Sequence, residues 1–360
     1  YREILASEKM VDDIIKNDLA GLKEKHGDER RTEIAATVEE IEVEDLIAEE
    51  DMAITISNTG YIKRIAVSAY RQQKRGGKGV SAMKMKEEDF VNHLFVASSK
   101  DYLLIFTNLG NVHWLKVYEI PIASRTSRGK AIVNLLSLGK DESITSIVAV
   151  KEFSENQYVV MATSQGTVKK TQLSAFSNPR KGGIIGVTLE KGDFLIGTAV
   201  SNGKNEILLA THHGKSLRFS EKNIREMGRA AKGVRGIRLG KDDTVVGMQV
   251  FPSDIDKTGS TLLTVSSQGF AKRSAFDDYR IQTRGGKGII NFKTTEKNGL
   301  VVGILTVVED SEIMVITQEG MVVRCPVKDI RKSGRSTQGV RLISLNGKDR
   351  VTSVANAVSS

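Results

Sequence analysis

The sequence predicts an all-β protein, a propeller-like ring of six four-stranded blades, preceded by an α-helical segment. Three observations support this fold class: a repeat of about 50 residues, an alternation of apolar and polar residues within each repeat, and a glycine at the same phase of every repeat.

The repeat is marked by the pattern Ser/Thr-x-x-Gly, which occurs six times from residue 52 onward. Six copies at nearly regular spacing are not a chance pattern. They are Ser57 to Gly60, Thr107 to Gly110, Thr163 to Gly166, Thr211 to Gly214, Ser266 to Gly269 and Thr317 to Gly320.

Apolar residues stand four and six positions before each of these glycines, as Ile56 and Ile54 do in the first repeat. This period of two is typical of a half-buried strand. The glycine suits the left-handed position of a short hairpin loop, so each copy predicts a strand, a turn and a return strand. Four positions after the glycine, five of six residues are basic: Arg64, Trp114, Lys170, Arg218, Arg273 and Arg324.

Later apolar runs, such as 144–150 and 245–250, bring each repeat to about four short strands. Closing six blades into a ring protects sheet edges that an open array would expose. We therefore assign residues 51–360 to the propeller.

The N-terminal residues have a different pattern. Val11, Ile14, Ile15 and Leu22 fall at helical spacing, and His26-Gly27 predicts the helix end, so we assign residues 1–27 to a helix and residues 28–50 to an acidic linker.

Charge divides the chain in the same way. The first 51 residues carry 17 acidic and 7 basic side chains, net −10, whereas the remainder carries 27 and 46, net +19. A basic region of this kind favours a polyanionic partner. No apolar run approaches the ~20 residues of a membrane span, and the single cysteine, Cys325, is expected to be a structural thiol on a strand. We expect a cytoplasmic protein without a membrane partner.

Between its hairpin and its late strands, each repeat has a segment rich in glycine and basic residues, called here its basic segment. Those of repeats 1 and 5 are nearly identical: Gln73-Lys74-Arg75-Gly76-Gly77-Lys78-Gly79 and Gln282-Thr283-Arg284-Gly285-Gly286-Lys287-Gly288. Repeats 2 and 3 have the looser versions Arg128-Gly129-Lys130 and Arg180-Lys181-Gly182-Gly183. Lys78, Lys232 and Lys287 lie 18 residues after their turn glycines, where repeat 6 has Gln338.

Consecutive glycines let backbone N–H groups approach phosphate oxygens, and flanking Arg and Lys neutralise phosphate charge. Repeated around a ring, such segments would form a curved cationic track; the alternative is that they are turns with solvated charges. The candidate DNA-binding residues are Gln73, Lys74, Arg75, Gly76, Gly77, Lys78, Gly79, Arg128, Lys130, Arg180, Lys181, Lys232, Arg284, Gly285, Gly286 and Lys287.

The segment Gln73 to Gly79 resembles the signature heptapeptide of the DNA gyrase A subunit family, Gln-Arg-Arg-Gly-Gly-Lys-Gly, with Lys74 in place of an arginine. The resemblance covers essentially the whole chain. Other stretches similar to that family are 28–34, 86–90, 132–136, 233–240 and 298–303.

The resemblance implies a six-bladed β-pinwheel at the C-terminal end of the family's polypeptide, preceded by the end of a coiled-coil helix. In the family this domain wraps duplex DNA in a positive sense and needs the heptapeptide to do so. It thereby presents a DNA segment for strand passage, so that the assembly of two A and two B subunits (A2B2) introduces negative supercoils. ATP and Mg are bound elsewhere in that assembly, so no cofactor is expected here. Lys74 keeps the charge but loses the bidentate fork of an arginine.

Catalysis in the family uses a tyrosine preceded by two arginines. None of the seven tyrosines has that context, so we expect no catalytic residue in this chain. Gly214-Lys215-Ser216 lacks the earlier glycine of a phosphate-binding loop, since that position is Leu209. No metal site is expected, His212-His213 is expected at a hairpin tip, and Asp242-Asp243 and Asp277-Asp278 are expected to be solvated.

Two other functions remain open. The C-terminal domain of a topoisomerase IV subunit is related, although an intact heptapeptide and six repeats favour gyrase. A propeller can also serve as a protein-interaction scaffold, but we would then expect apolar or mixed loops rather than phased basic residues. With few aromatic residues for stacking, single-stranded nucleic acid is a weaker candidate than duplex DNA.

Overall fold

The computed structural model describes residues 1–28, 30, 32, 46–57, 60–67, 91–124, 127–178, 180, 182–319, 321–345, 347 and 349–357, with the backbone alone at 91–95, 256, 257, 322 and 357. The chain forms two compact units, Tyr1–Leu46 and Ile47–Ser360.

The first unit contains two helices, α1 (Arg2–Leu5) and α2 (Glu8–His26). Helix α2 ends where the Gly27 N–H donates to the Lys23 carbonyl, and basic residues in its last turn favour the negative end of the helix dipole. Neither helix buries a residue, and no described helix is long and apolar enough to span a membrane. The predicted N-terminal helical segment is confirmed.

The second unit is a six-bladed β-propeller of antiparallel sheets. Its strands are β1 (Asp51–Ser57), β2 (Tyr61–Ala66), β3 (Val91–Ser98), β4 (Tyr102–Thr107), β5 (Asn111–Lys116), β6 (Lys130–Ala131), β7 (Ile144–Val150), β8 (Tyr158–Thr163), β9 (Thr167–Gln172), β10 (Ile184–Ile185), β11 (Leu195–Ser201), β12 (Glu206–Thr211), β13 (Lys215–Ser220), β14 (Val234–Arg235), β15 (Val245–Phe251), β16 (Thr261–Ser266), β17 (Phe270–Ala275), β18 (Ile289–Ile290), β19 (Val301–Val307), β20 (Glu312–Thr317), β21 (Val322–Pro326), β22 (Val340–Arg341) and β23 (Val351–Ala357).

We number each blade by the repeat that supplies its hairpin. The strand orders, from blade 1 to blade 6, are β3-β1-β2-β6, β7-β4-β5-β10, β11-β8-β9-β14, β15-β12-β13-β18, β19-β16-β17-β22 and β23-β20-β21, the last counted over the described residues. The predicted fold class is confirmed.

The Ser/Thr-x-x-Gly pattern has a direct structural cause. The five turn glycines that the structure describes have φ between +76° and +83°, which any side chain would strain. The Ser or Thr hydroxyl accepts the backbone N–H four residues later in all six repeats, at 3.1 to 3.3 Å. Glycine sets the turn, and the hydroxyl satisfies the first N–H of the return strand.

Hydrophobic clusters lie between consecutive blades. Leu104 and Phe106 of blade 2, for example, pack against Val159 and Met161 of blade 3. The seven-residue strands β7, β11, β15, β19 and β23 each contact the corresponding strand of the neighbouring blade, so this edge of each sheet faces the propeller axis. The opposite edge, formed in blades 1 to 5 by a two-residue strand beside the hairpin return strand, faces outward.

Candidate nucleic-acid interface

In repeats 2 to 6, the basic segment lies on the blade before its own. The residues at the end of the segment or directly after it form the two-residue strand at the outer edge of that blade, as Lys130 of repeat 2 pairs with Ile62 of blade 1. In the same way, the following repeat supplies the outer-edge strand of blades 2, 3, 4 and 5. These strands are β10, β14, β18 and β22, respectively. The basic segments are therefore placed along the outward edge of the propeller.

Close packing explains the glycine that precedes each of these edge strands. A Cβ atom on Gly129 would lie 2.4 Å from the Ile62 carbonyl oxygen, and one on Gly288 would lie 2.5 Å from that of Ser216. These glycines have a structural role, because no side chain fits there.

Neighbouring basic segments are hydrogen-bonded to each other from repeat 3 to repeat 6. The Thr188 hydroxyl donates to the Ala230 carbonyl at 2.7 Å, the Gly285 N–H donates to Gly236 at 2.7 Å, and the Lys293 N–H donates to Thr337 at 3.0 Å. These links make the segments one continuous surface rather than separate loops. They also engage the Gly285 N–H within the protein, so this glycine does not present it to a ligand.

Four of the predicted site residues are exposed on this surface: Lys130, Arg180, Lys232 and Lys287. The Lys232 ammonium also forms a 3.3 Å ion pair with the Glu190 carboxylate. Gly285 and Gly286 are half-buried at the contact with repeat 4. The heptapeptide Gln73, Lys74, Arg75, Gly76, Gly77, Lys78 and Gly79, together with Lys181, lies outside the described residues.

Two other predicted arginines make contacts inside the protein. The Arg128 guanidinium lies over the Tyr61 ring, 3.9 Å from its centroid. Arg284 donates through Nε to the Asn223 carbonyl at 3.1 Å and through Nη1 to the Arg235 carbonyl. Arg284 thus fixes the basic segment of repeat 5 to the end of the segment of repeat 4.

The contact that Arg284 makes belongs to a regular position in the repeats, which the sequence analysis did not identify. The residue fifteen positions after the turn glycine is basic in all six repeats: Arg75, Arg125, Lys181, Arg229, Arg284 and Arg335. Arg335 repeats the Arg284 contact one blade later, because its Nη1 donates to the Ile290 carbonyl at 2.8 Å. Aligning the repeats on the turn glycine would have found this position. The structure also places Arg235, Arg238, Lys293 and Arg341 among the exposed cations of the outer edge.

The basic residues four positions after the turn glycine do not belong to this surface. In blades 1 to 5 the residue at this position contacts the 3₁₀ turn of the next blade, whereas Arg324 of blade 6 pairs with Glu312 of its own blade. Lys170, Arg218 and Arg273 are buried. Trp114 makes the equivalent contact through its indole N–H, so the shared property is an N–H donor rather than a charge. The hydrogen bonds are Arg64 to Tyr118 O at 2.8 Å, Trp114 to Phe176 O at 2.8 Å, Arg218 to Phe276 O at 2.6 Å and Arg273 to Ile330 O at 2.7 Å. Lys170 instead forms an ion pair, with its Nζ 3.7 Å from Glu221 Oε1.

The expectation that Asp242-Asp243 is solvated is wrong for Asp243. Its carboxylate is buried and accepts the N–H of His213 at 2.9 Å, so it caps the hairpin turn of its own repeat. Asp349 caps Glu319 in the same way at 3.1 Å. Cys325 lies on β21 as predicted, and burial raises the pKa of its thiol.

Comparison with known proteins identifies the family. A family model described as the DNA gyrase C-terminal domain, a β-propeller, matches the six blades one by one, at residues 51–98, 101–151, 157–202, 205–252, 260–307 and 311–357. The chain belongs to this family.

Curated relatives of this gyrase-family chain are full A subunits. The DNA gyrase A subunit of Mycolicibacterium smegmatis is 42% identical over 355 residues, which cover 98% of this chain and 42% of the relative. Its counterpart from Salmonella typhimurium is 46% identical over 331 residues, covering 92% and 37%. The chain thus spans about two fifths of the length of these relatives.

Solved structures of related domains share the fold of this gyrase-family domain. The C-terminal domain of a DNA topoisomerase IV matches with a TM-score of 0.75 at 27% identity, over 86% of this chain and 94% of that one. A DNA gyrase A C-terminal domain matches with a TM-score of 0.66 at 24% identity, over 86% and 100%.

Proposed function

We propose that the propeller binds duplex DNA along the outward edge of its blades and wraps it. The observation that carries this proposal is the placement of successive basic segments on one edge, of which those of repeats 3 to 6 are joined by hydrogen bonds into a continuous cationic surface. The repetition of these segments at the same phase matches a ligand with regularly spaced charges, as a duplex backbone has.

Binding would be mainly electrostatic. Exposed lysines such as Lys130, Lys232 and Lys287 are suited to contact phosphates, and each contact releases condensed counterions. Because the segments are held to each other and to the blade edges, they need little ordering on binding. Their rigidity would help to offset the cost of bending DNA, which is about 1–6 kcal/mol for a short strongly bent site.

In the whole enzyme, the wrapped DNA would be presented as the segment for strand passage, so that gyrase introduces negative supercoils. The partners would be the B subunit together with the remainder of the A subunit, in an A2B2 assembly in the bacterial cytoplasm at the nucleoid. Cleavage and ATP hydrolysis would be carried out elsewhere in that assembly. We also propose the division into a helix end (1–27), an acidic linker (28–50) and the wrapping domain (51–360).

A role in topoisomerase IV is the second candidate, and the fold match to the C-terminal domain of that enzyme is its support. The heptapeptide at 73–79 and the relatives among gyrase A subunits favour gyrase. The phased exposed cations likewise favour DNA over a protein partner for the outward edge.

A topological assay tests the proposal. The 360-residue chain is bound to relaxed circular DNA, the circle is relaxed by a separate topoisomerase, and the linking number is read after protein removal. We expect a positive linking-number change that grows with protein and disappears at high salt. Salt-sensitive binding without any linking-number change would reject wrapping, and salt-insensitive binding would reject the phosphate-contact surface.

A further inference from the structure

Three blades bury a lysine three residues after their turn glycine. These are Lys63, Lys169 and Lys272, exposed by 0%, 1% and 0%. They belong to blades 1, 3 and 5. A cation placed so deeply is costly unless polar groups surround it, so its partners indicate its role.

Each buried lysine donates to backbone carbonyls of the basic segment that lies on its blade. Lys63 Nζ donates to Ser124 at 3.2 Å and to Ser127 at 2.9 Å. Lys272 Nζ donates to Gly334 at 2.9 Å and also to Arg335.

Lys169 makes the same contact in blade 3. Its Nζ donates to Arg229 and, at 2.5 Å, to Gly186 of the preceding segment. The three ammonium groups therefore hold the basic segments of repeats 2, 4 and 6 from beneath.

The remaining blades lack this lysine, and the segments that follow them differ in sequence. His113, Leu217 and Val323 occupy the position in blades 2, 4 and 6. In repeats 3, 5 and 1, the basic residue at position fifteen is followed by two glycines, whereas in repeats 2, 4 and 6 it is followed by two small residues with a Cβ: Thr126-Ser127, Ala230-Ala231 and Ser336-Thr337. The segments without the two glycines, which have the less flexible backbones, are thus the ones whose carbonyl groups accept hydrogen bonds from a buried lysine.

We propose that Lys63, Lys169 and Lys272 are positioning residues that hold every second basic segment in its DNA-binding conformation. They do not touch DNA, and they act through the segments above them. This inference rests on the proposed function of the outward edge.

The charge of Lys169 and Lys272 is sensitive to pH near neutrality. Burial lowers the pKa of Lys169 to about 7, and the nearby Arg229 lowers it further. Burial also lowers the pKa of Lys272 to about 7, with Asp278 opposing and Arg335 adding to the effect. DNA phosphates close above would favour the charged form, so binding takes up protons at pH values above about 7, and DNA affinity falls as the pH rises through this range.

The test uses the 360-residue chain with Lys169→Met and Lys272→Met together, and Lys204→Met as a control for loss of an exposed lysine. Lys204 is exposed in the turn between β11 and β12 and belongs to none of the basic segments. Duplex affinity is measured at low salt from about pH 7 to about pH 9. We expect the wild-type and Lys204→Met Kd values to rise by about tenfold over this range and that of the double variant to change much less.

A second measurement does not depend on the variant folding or on DNA. Hydrogen exchange of the wild-type chain, corrected for intrinsic rates, is compared between 229–233, which lies on Lys169, and 284–288, which lies on Leu217. We expect protection to fall with pH in the first segment but not in the second. If protection of the two segments changes equally with pH, the positioning role is wrong. It is also wrong if the double variant folds and its DNA affinity depends on pH as that of the wild type does. A wild-type chain that does not bind duplex DNA would instead reject the proposed function.

Discussion

The Lys232 ammonium and the Glu190 carboxylate, 3.3 Å apart, form an ion pair between the fourth and third repeats at the outward edge. Both side chains are about two-thirds exposed. Such pairs contribute only about 0–1 kcal/mol to stability, so DNA phosphate can compete with Glu190 for Lys232.

Replacing Glu190 by glutamine should therefore tighten duplex binding by about two- to threefold at low salt, because it removes a repelling charge and releases Lys232. Fluorescence anisotropy with a labelled duplex measures the effect. Glu152→Gln, at an exposed position in the turn between β7 and β8, is the control for net charge. If the two variants bind equally, Lys232 does not lie on the DNA path.

The fifth repeat allows contact and positioning to be separated. Lys287→Ala should weaken DNA binding without changing stability, since its side chain is exposed. Arg284→Ala should also loosen the segment, because Arg284 links it to the Asn223 and Arg235 carbonyls. Footprinting of the double variant on a linear duplex should show a shorter protected length with contacts at the first blade retained. An unchanged footprint in a folded double variant would remove this segment from the wrapped path.

Arg218 and Arg324 form a matched pair for stability. Each lies four residues after its turn position and pairs with a glutamate twelve residues earlier, but Arg218 is buried with Glu206 whereas the Arg324 side chain is half-exposed. Arg218→Ala should lower the free energy of unfolding by about 3–5 kcal/mol, since it leaves Glu206 and the Phe276 carbonyl unsatisfied in the interior. Arg324→Ala should cost about 0–1 kcal/mol. Urea denaturation measures both, and similar losses would contradict the interblade role.

Wrapping and binding should separate at the heptapeptide. Replacing residues 73–79 by alanines should abolish the linking-number change and leave much of the salt-sensitive affinity, because the exposed lysines of the other repeats remain. The topological assay and duplex titration are run on the same preparation. A parallel loss of both activities would mean that the other segments contribute no binding.

Stability should rise with pH through the buried lysines. The folded pKa values of Lys169 and Lys272, about 7, lie below the value near 10.4 of an unfolded lysine, so between these values the unfolded chain binds more protons. The cost of burying the charge is fully present below about pH 7 and is relieved as the pH rises toward 10. Urea titrations should show a steeper pH slope in the wild type than in the Lys169→Met, Lys272→Met variant, which keeps only Lys63, whose pKa is also lowered by burial. Parallel pH profiles would place the lysine pKa values near normal.

The blade on which each basic segment lies could not be predicted from the sequence. The sequence located these segments and their phase, but it did not indicate that Lys130 of repeat 2 pairs with Ile62 of blade 1. It also left open whether the residue four positions after each turn glycine faces a ligand. In blade 2 this residue is Trp114, and its indole N–H donates to the Phe176 carbonyl of the next blade instead.

What the sequence determined by itself is the hairpin and its repetition. Each hairpin depends on residues a few positions apart: an alternation of apolar side chains, a glycine with positive φ, and a hydroxyl that accepts the N–H four residues later. Such short-range requirements remain visible in the order of residues.

Only the tertiary structure decided which cations are exposed and which are buried. Nothing in the neighbouring residues distinguishes Lys232 from Lys169. Lys232 is nevertheless exposed beside Glu190, whereas Lys169 is buried beneath a basic segment. The difference arises because exposure depends on which distant segment covers a residue. That pairing is set by the packing of whole blades and not by the residues on either side of each lysine.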